Sequence, residues 1–553
     1  MEKRVILAVV LCVAVLMLWS KFFPGPKPPA QQPFATAPAP GGSPPAPGAA
    51  PPAGAAPAPG AAAGAGKPEK LVEIESPDVH FVFTSAGGRL VHARLRAAKF
   101  LAHPGDPSSG QDLVDTLDTI DAPFQTSFPD SGFPSPPDNA WEVKSQDAKM
   151  VVFAADSGTS HIEKRYIIDS ARYRLHLEVS VTNQGAQAVS HHLALTLTGR
   201  QDPEKRGGGF MSGSAANPAS LICAVDDDIE RRPVEKLGKD PIDKLGAVRW
   251  IGSDEKFFLL AAVPYPETPP QQRRCAAGPA PDGTGKVTVS FAERSVAPQA
   301  TTSYAFAVYT GPKIISELEA VQPGGQEARL DKAVDVSLAF LSRPILSLLK
   351  FFYSFAHNWG LAIILLTLFI KVVTFYPTQK SLLSAKKMQK LAPKMTAIRK
   401  KYENDRQRQS VETMNLYKAH GVSPFGGCLP SLIQMPIWIA LYSTLNYAVE
   451  LYRAPFLHIH DLTAKDPFHL GPLPLPLTPL LMGAVMFIQM RMSPSGADQQ
   501  QQQMMSFMMP IMFTAFSLFL PAGLAIYMLT SYLIGILQQL YVNHLDRKGA
   551  TAV

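Results

Sequence analysis

The sequence of 553 residues is short of the features most enzymes need. Its four cysteines include no Cys-x-x-Cys pair, so no redox or zinc motif of that kind is present. The glycine-rich stretch from Arg206 to Gly213 lacks the Lys-Ser/Thr of a phosphate loop, and no other nucleotide-binding motif occurs. His161, His176, His191 and His192 stand in alternating, strand-like contexts without metal-ligand spacing and read as surface or core residues. No Asp or Glu lies deep in any apolar run near the C-terminus, which argues against a proton or ion relay. With no catalytic constellation, cofactor motif or metal site, the expectation is a protein that is not an enzyme and takes no small-molecule substrate.

Long apolar runs are present at both ends, with a polar region between them. Met1-Glu2-Lys3-Arg4 precedes the apolar segment Val5–Trp19, which fits a signal peptide or an uncleaved anchor. The aromatic and basic flank Trp19-Ser20-Lys21-Phe22-Phe23 favours an anchor over residues 1–23 with its N-terminus in the cytoplasm. Residues 24–68 are almost wholly Pro, Ala and Gly, a composition with too little apolar surface to offset chain entropy, so a disordered tether is expected. From 69 to 330 the pattern alternates with period two, as in Leu175, Leu177, Val179 and Val181 or Leu193, Leu195 and Leu197. That predicts a large antiparallel β-sandwich. Cys223 and Cys275 fall inside it and are either a disulfide or two thiols.

Residues 331–357 mix apolar positions with Asp335, Arg343 and Lys350 and are interrupted by Pro344, which suggests a helix lying in the membrane interface. The region 358–545 contains five apolar runs, at about 358–376, 429–449, 473–490, 504–520 and 524–542, each long enough to cross a hydrocarbon core. With the anchor this predicts six spans. Between the first two runs, residues 378–421 form a predicted helical hairpin turning at Glu403-Asn404-Asp405. It carries Lys380, Lys386, Lys387, Lys390, Lys394, Arg399, Lys400, Lys401, Arg406, Arg408 and Lys418 against Glu403, Asp405 and Glu412. By the positive-inside rule the hairpin and the tail 546–553 are cytoplasmic, and the β domain lies on the far face of the membrane. The hairpin's charge either sets topology alone or also meets an anionic partner such as ribosomal RNA or lipid head groups.

One residue interrupts the first of these runs. Lys371 lies within GLAIILLTLFIKVVTFYP, where a cation costs about 2.5–3.5 kcal/mol at mid-helix. Snorkelling toward the cytoplasmic end would relieve part of that cost. Thr367, Lys371, Thr374 and Thr378, however, share one face at 4, 3, 4 spacing, and such a polar stripe favours a bundle interior or a water-filled cavity. Gln434, Ser443, Thr444, Asn446, Thr514, Ser517, Thr530, Ser531 and Gln538 supply polar groups in the other runs. The methionines 504, 505, 508, 509 and 512 read as a flexible surface for apolar segments or as ordinary helix packing.

Three stretches carry a family resemblance. SPFGGCLPSLIQMPIWIALY (Ser423 to Tyr442), FYPTQKSLLSAKKMQKLAPKM (Phe375 to Met395) and FLPAGLAIYMLTSYL (Phe519 to Leu533) resemble the YidC family of bacterial membrane protein insertases. The similarity covers nearly everything from about 335 onward. It implies a polytopic α-helical membrane protein of the bacterial inner membrane, with a five-helix core, a cytoplasmic hairpin and a periplasmic all-β supersandwich. It implies a groove open to the cytoplasm and to lipid, with a cation on the first core helix. The family usually has arginine there; Lys371 keeps the charge and loses the planar fork. Thr367 matches a groove-lining threonine, with Thr374 and Gln434 as further groove positions. Tyr527 matches the first of two adjacent aromatics on the last helix, and Met528 replaces the second; both are expected to contact client helices. The implied function is insertion and folding of inner-membrane proteins, alone or with the Sec translocon (SecYEG and SecDF). The implied partners are nascent membrane proteins, the ribosome and anionic lipids, with no cofactor. Two other readings stay open: a small-solute transporter using Lys371 as counter-ion, and a structural subunit whose outer domain is the working part.

Overall fold

The computed structural model describes residues 68–547, apart from 104, 117, 202–218, 335, 423–428, 467–468, 471–472, 475 and 493–498. The expected anchor (1–23), all but the last residue of the expected tether (24–68), the stretch 206–213 and the tail from 548 lie outside the described residues.

Period-two alternation becomes sheet. Strand Arg174–Asn183 buries Leu175, Leu177, Val179 and Val181 and leaves the residues between them half-buried. It belongs to a nine-stranded sheet in the order Asp228–Pro233, Ser220–Val225, Val248–Asp254, Phe258–Pro264, Thr301–Pro312, Arg174–Asn183, Ser160–Ile168, Met150–Ser157, Glu142–Gln146. A five-stranded sheet runs Ile242–Gly246, Arg273–Pro279, Thr284–Ser290, Ala194–Arg200, Gln125–Ser127, and a three-stranded sheet joins Leu71–Glu75, Val79–Thr84 and Arg89–Leu95. Strand Ala194–Arg200 is buried on both faces, so Thr196 and Thr198 are interior along with Leu195 and Leu197. Thr196 meets its polar need across the ladder, hydroxyl to hydroxyl with Thr288 at 2.8 Å.

Cys223, on the nine-stranded sheet, and Cys275, on the five-stranded sheet, form a disulfide between the sheets, with Cα atoms 6.0 Å apart and both residues fully buried. The core also holds a fully buried lysine. Lys164 donates to the carbonyl oxygens of Gly87 (3.2 Å) and Phe124, and burial holds its ammonium well below the ordinary lysine value. Those carbonyls belong to residues with φ of +72° and +67°, so the lysine ties down two left-handed turns. His191 is likewise buried, facing the Tyr304 hydroxyl at 3.0 Å, and burial pushes its imidazole down to about 4.

After a short helix α1 (Ile315–Glu319) the chain becomes helical: α2 (Ala339–Ala356), α3 (Trp359–Val373), α4 (Phe375–Lys401), α5 (Arg406–Ala419), α6 (Leu429–Tyr447), α7 (Leu477–Met492), α8 (Gln499–Ser517) and α9 (Ala522–Arg547). Pro344 does not break its segment as expected: α2 runs through it. The proline sits early in the helix and removes only the bond to the Phe340 carbonyl, whereas the irregular backbone lies upstream, at left-handed Leu338. The run expected as one helix to 376 ends at Val373 and turns by 63° into α4. Among the described residues, 522–544 of α9 alone is long and apolar enough to cross a membrane, and α3 with α4 reaches that measure only together; α7 and Ser506–Ser517 are apolar but shorter. The polar residues and prolines inside α6 and α8 dilute their hydropathy.

A loop at 448–466 joins the two regions. Val449 enters the β-domain core, and Tyr452 packs against Phe257, Phe258 and Phe100 with ring centroids 5.2, 5.4 and 5.9 Å away. Arg453 donates to the Leu101 carbonyl at 2.6 Å, and Glu450 pairs with Lys350 of α2 at 2.6 Å.

Replacing both cysteines by alanine removes a cross-link that closes a 52-residue separation and lowers stability by about 2–4 kcal/mol, read by denaturant unfolding; an unchanged midpoint would contradict it. Lys256, which stacks on Phe257 beside the loop, is held down to about 8 from 10.5, chiefly by burial and against the pull of Asp461. The unfolded chain therefore binds more protons between about pH 8 and 10.5, and stability rises with pH across that window. Lys256→Met should flatten the rise and add about 1–3 kcal/mol at pH 7. Thermal unfolding at pH 7, 8.5 and 10 checks this, and a variant retaining the full pH rise would contradict it.

Candidate functional site

The polar positions of α3 are managed one by one. Thr367 and Thr374 are buried, and each hydroxyl bonds back to the carbonyl four residues earlier, Ile363 at 2.7 Å and Ile370 at 2.8 Å. Such back-bonding satisfies the hydroxyl inside the helix and favours a bend, and the 63° turn falls at Thr374 itself. Lys371, between them, is half-buried, and no hydrogen bond or ion pair holds its ammonium among the described residues. Its chain neighbours Leu368, Phe369, Val372 and Val373 are exposed and apolar. Among the described residues, the helix thus carries one uncompensated cation on an otherwise apolar, outward-facing end.

A second polar contact crosses the bundle. Gln434 of α6 donates its side-chain N–H to the Tyr527 hydroxyl of α9 at 2.5 Å, so two residues singled out separately in the sequence meet. Tyr527 and Met528 are both interior, 2% and 5% exposed, within the cluster that includes Ile363, Leu366, Ile370, Leu441 and Leu445. Neither reaches the surface in this arrangement. Large apolar surface is offered instead by α8, at Phe507, Met508, Ile511 and Met512, and by α9, at Leu533, Leu537 and Leu540. Met509 is half-buried, and the side chains of Met504 and Met505 lie outside the described residues.

The basic residues stand on two helices joined by a turn at Tyr402–Asp405, where the Asp405 carboxylate accepts from the Arg408 backbone N–H at 2.9 Å. Leu391 and Met395 fill the seam, and Tyr417 meets the Met395 sulfur at 3.2 Å. Lys387, Lys390, Lys394, Lys400, Lys401 and Arg408 are exposed; Lys386 and Arg399 are half-buried, and the Arg406 side chain lies outside the described residues. Lys386 reaches back to the Val542 carbonyl of α9 at 3.4 Å, which fastens the hairpin to the bundle.

Glycines mark a part of the site that hydropathy patterning did not single out. An added Cβ at Gly483 of α7 would lie 2.0 Å from the Thr514 hydroxyl of α8, and one at Gly535 of α9 would lie 2.3 Å from the Gln489 amide of α7. One at Gly360 of α3 would lie 2.0 Å from the Phe456 ring. Isolated glycines inside apolar helices were the available signal, since small residues let helices approach closely.

Residues 351–549 match the family model described as 60Kd inner membrane protein, and residues 71–348 match that of the YidC periplasmic domain. The chain is 35% identical over 562 residues to the membrane protein insertase YidC of Anaeromyxobacter sp. (strain Fw109-5), covering 98% of this chain and 96% of that one. It is 36% identical to the membrane protein insertase YidC of Citrifermentans bemidjiense, covering 98% and 99%. A crystal structure of an active YidC insertase, with its first transmembrane domain resolved, aligns at a TM-score of 0.36 and 18% identity over 85% of this chain and 93% of that one. On the family models and the full-length relatives, the chain belongs to the YidC family of inner-membrane protein insertases with a periplasmic domain.

Proposed function

We propose that this chain inserts and folds integral proteins of the inner membrane, moving the polar flank of a client helix along a hydrophilic groove around Lys371, alone or beside the Sec translocon. The observation that carries this reading is the Lys371 ammonium, unpaired among the described residues, between two internally satisfied threonines. A cation kept at a cost of a few kcal/mol without a carboxylate is free to attract charge that arrives from elsewhere. An acidic flank of a passing chain is such a charge.

Insertion then needs no covalent chemistry. Each Leu, Ile, Phe or Val of a client gains about 0.3–0.6 kcal/mol on partitioning, so a full span supplies its own driving force. What opposes it is the polar flank, and a hydrated path that reaches part-way across shortens the apolar barrier. In this reading Lys371 faces the path, and Thr367, Thr374 and the Gln434–Tyr527 pair form a buried polar layer behind it, with Met528 packed among them. The exposed face of α8 offers client helices an apolar surface. The helices α3, α6, α7, α8 and α9 are assigned as five crossings, with a sixth from residues 1–23. Both termini and the basic hairpin are then cytoplasmic, the hairpin facing the ribosome and anionic lipid.

The attraction between Lys371 and an acidic flank about 8 Å away, at an effective dielectric of about 20, is about 2 kcal/mol. Lys371→Ala should therefore slow insertion of a single-span client with an acidic leading flank by roughly thirtyfold, while Lys371→Arg keeps most of the rate. Protease protection of in-vitro-translated client in proteoliposomes reads this. Equal rates for Lys371→Ala and the unsubstituted chain would overturn the role of the cation.

A further inference from the structure

We infer that Tyr353 and Trp359 are positioning residues for insertion: their stacked rings lock α2 to the outer end of α3 and so fix how deep Lys371 sits below the lipid surface that α2 occupies. The inference rests on the insertion reading above. Both rings fall within residues 351–549, so it asks nothing of the β domain.

The two rings lie face to face, with centroids 3.9 Å apart and planes 9° from parallel. The link between their helices is short and its ends are satisfied. His357, at a φ of +50°, closes α2 by donating its backbone N–H to the Tyr353 carbonyl at 2.8 Å. The Asn358 side chain opens α3 by accepting from the Leu361 N–H at 3.1 Å. Phe352, beside Tyr353, then meets Phe369 with ring centroids 6.1 Å apart. The end of α2 therefore touches α3 at its first residue and again ten residues on, two before Lys371. Nearer its start α2 holds α6: the Thr444 hydroxyl donates to the Ser342 carbonyl at 3.2 Å, and the Ser342 hydroxyl to the Ala440 carbonyl at 3.3 Å. One helix thus bridges the two that carry Lys371 and Gln434.

The other face of α2 turns outward. Ser342, Ile345 and Leu349 are buried against the bundle, whereas Phe340, Phe351 and Phe355 are 77%, 60% and 54% exposed. Spacings of eleven and four put these three phenylalanines on one helical face. A row of exposed rings at the outer end of two crossing helices, beside a half-buried Tyr and Trp, has the chemistry of a seat in the bilayer interface.

That seat matters because a lysine inside lipid does not hold its depth unaided. Its cost falls toward either interface, so a helix free to slide or tilt carries the cation to the nearer, cytoplasmic side. Lys371 lies twelve residues after Trp359 on one unbroken helix, about 18 Å at 1.5 Å per residue. In a hydrocarbon core about 30 Å thick, that leaves the ammonium about 12 Å short of the inner boundary. The stack at the top of α3 opposes the slide, so depth is measured from the outer surface.

The test uses the full-length chain in proteoliposomes and two single-span clients that differ only in an acidic or uncharged leading flank. In dioleoyl lipid, Tyr353→Ala should slow insertion of the acidic-flank client by about tenfold, part of what losing the cation costs, and the uncharged client by much less. In thinner dimyristoleoyl lipid the difference should nearly vanish, because a cation held at fixed depth from the outer surface already lies close to the inner one. Tyr353→Phe, which keeps the ring, should keep the rate. Combined with Lys371→Ala, Tyr353→Ala should add little, because both act on one group. A loss that is equal for both clients, independent of bilayer thickness or fully additive with Lys371→Ala overturns the inference and leaves Tyr353 with a folding role. A second measurement reads the seat directly: a nitroxide on Phe355→Cys, in a chain with Cys12 and Cys428 replaced by serine, should report head-group depth by power saturation. A fully aqueous label overturns the lipid seat. If Lys371→Ala itself has no effect, the insertion reading fails first, whereas an effective Lys371→Ala with a silent Tyr353→Ala sinks only the present inference.

Discussion

The aromatic plug of Tyr452 is the contact on which the arrangement of this molecule turns. It buries one ring from the helical region among three rings of the β domain, and the same loop then opens α7 and α9 with its own acceptors. Helix starts expose backbone donors that must find partners, and here a single segment supplies them while also being anchored elsewhere. The β domain and the bundle therefore meet through a specific interlock, in addition to the chain connection at 312–339. A disulfide between sheets and buried polar residues such as Lys164 stiffen the domain that holds the plug.

Within the bundle, polar groups are handled in three ways. Threonines on α3 bond to their own helix, Gln434 and Tyr527 bond to each other, and Lys371 has no bonding partner among the described residues. The first two solutions neutralise cost locally. The third leaves a charge without a compensating group among the described residues. Internal bonding of the first two kinds keeps the cost of the polar stripe low.

The burial of Tyr527 and Met528 changes how the last helix is understood. Both sit in the interior cluster with α3 and α6, while Phe507, Met508, Ile511 and Met512 face outward. Methionine's flexible, polarisable side chain suits either place, which is why composition alone could not assign it.

Much of this was legible in the sequence. Period-two alternation identified strands such as Arg174–Asn183, and apolar runs with their basic flanks marked the helical region and its hairpin, because burial and charge impose local periodicities. The threonine spacing around Lys371 was visible too, but the bend at Thr374 puts Thr378 on a different helix from Thr367 and Lys371. What the sequence alone determined is where polar groups would have to be accommodated. Which of them would be satisfied, and by what, was decided by tertiary structure: the Cys223–Cys275 link, the Gln434–Tyr527 bond, the bend at Thr374 and the Tyr452 plug. Three of these four join residues at least 52 positions apart, and no local pattern records such a meeting, since packing depends on which faces the whole chain brings together.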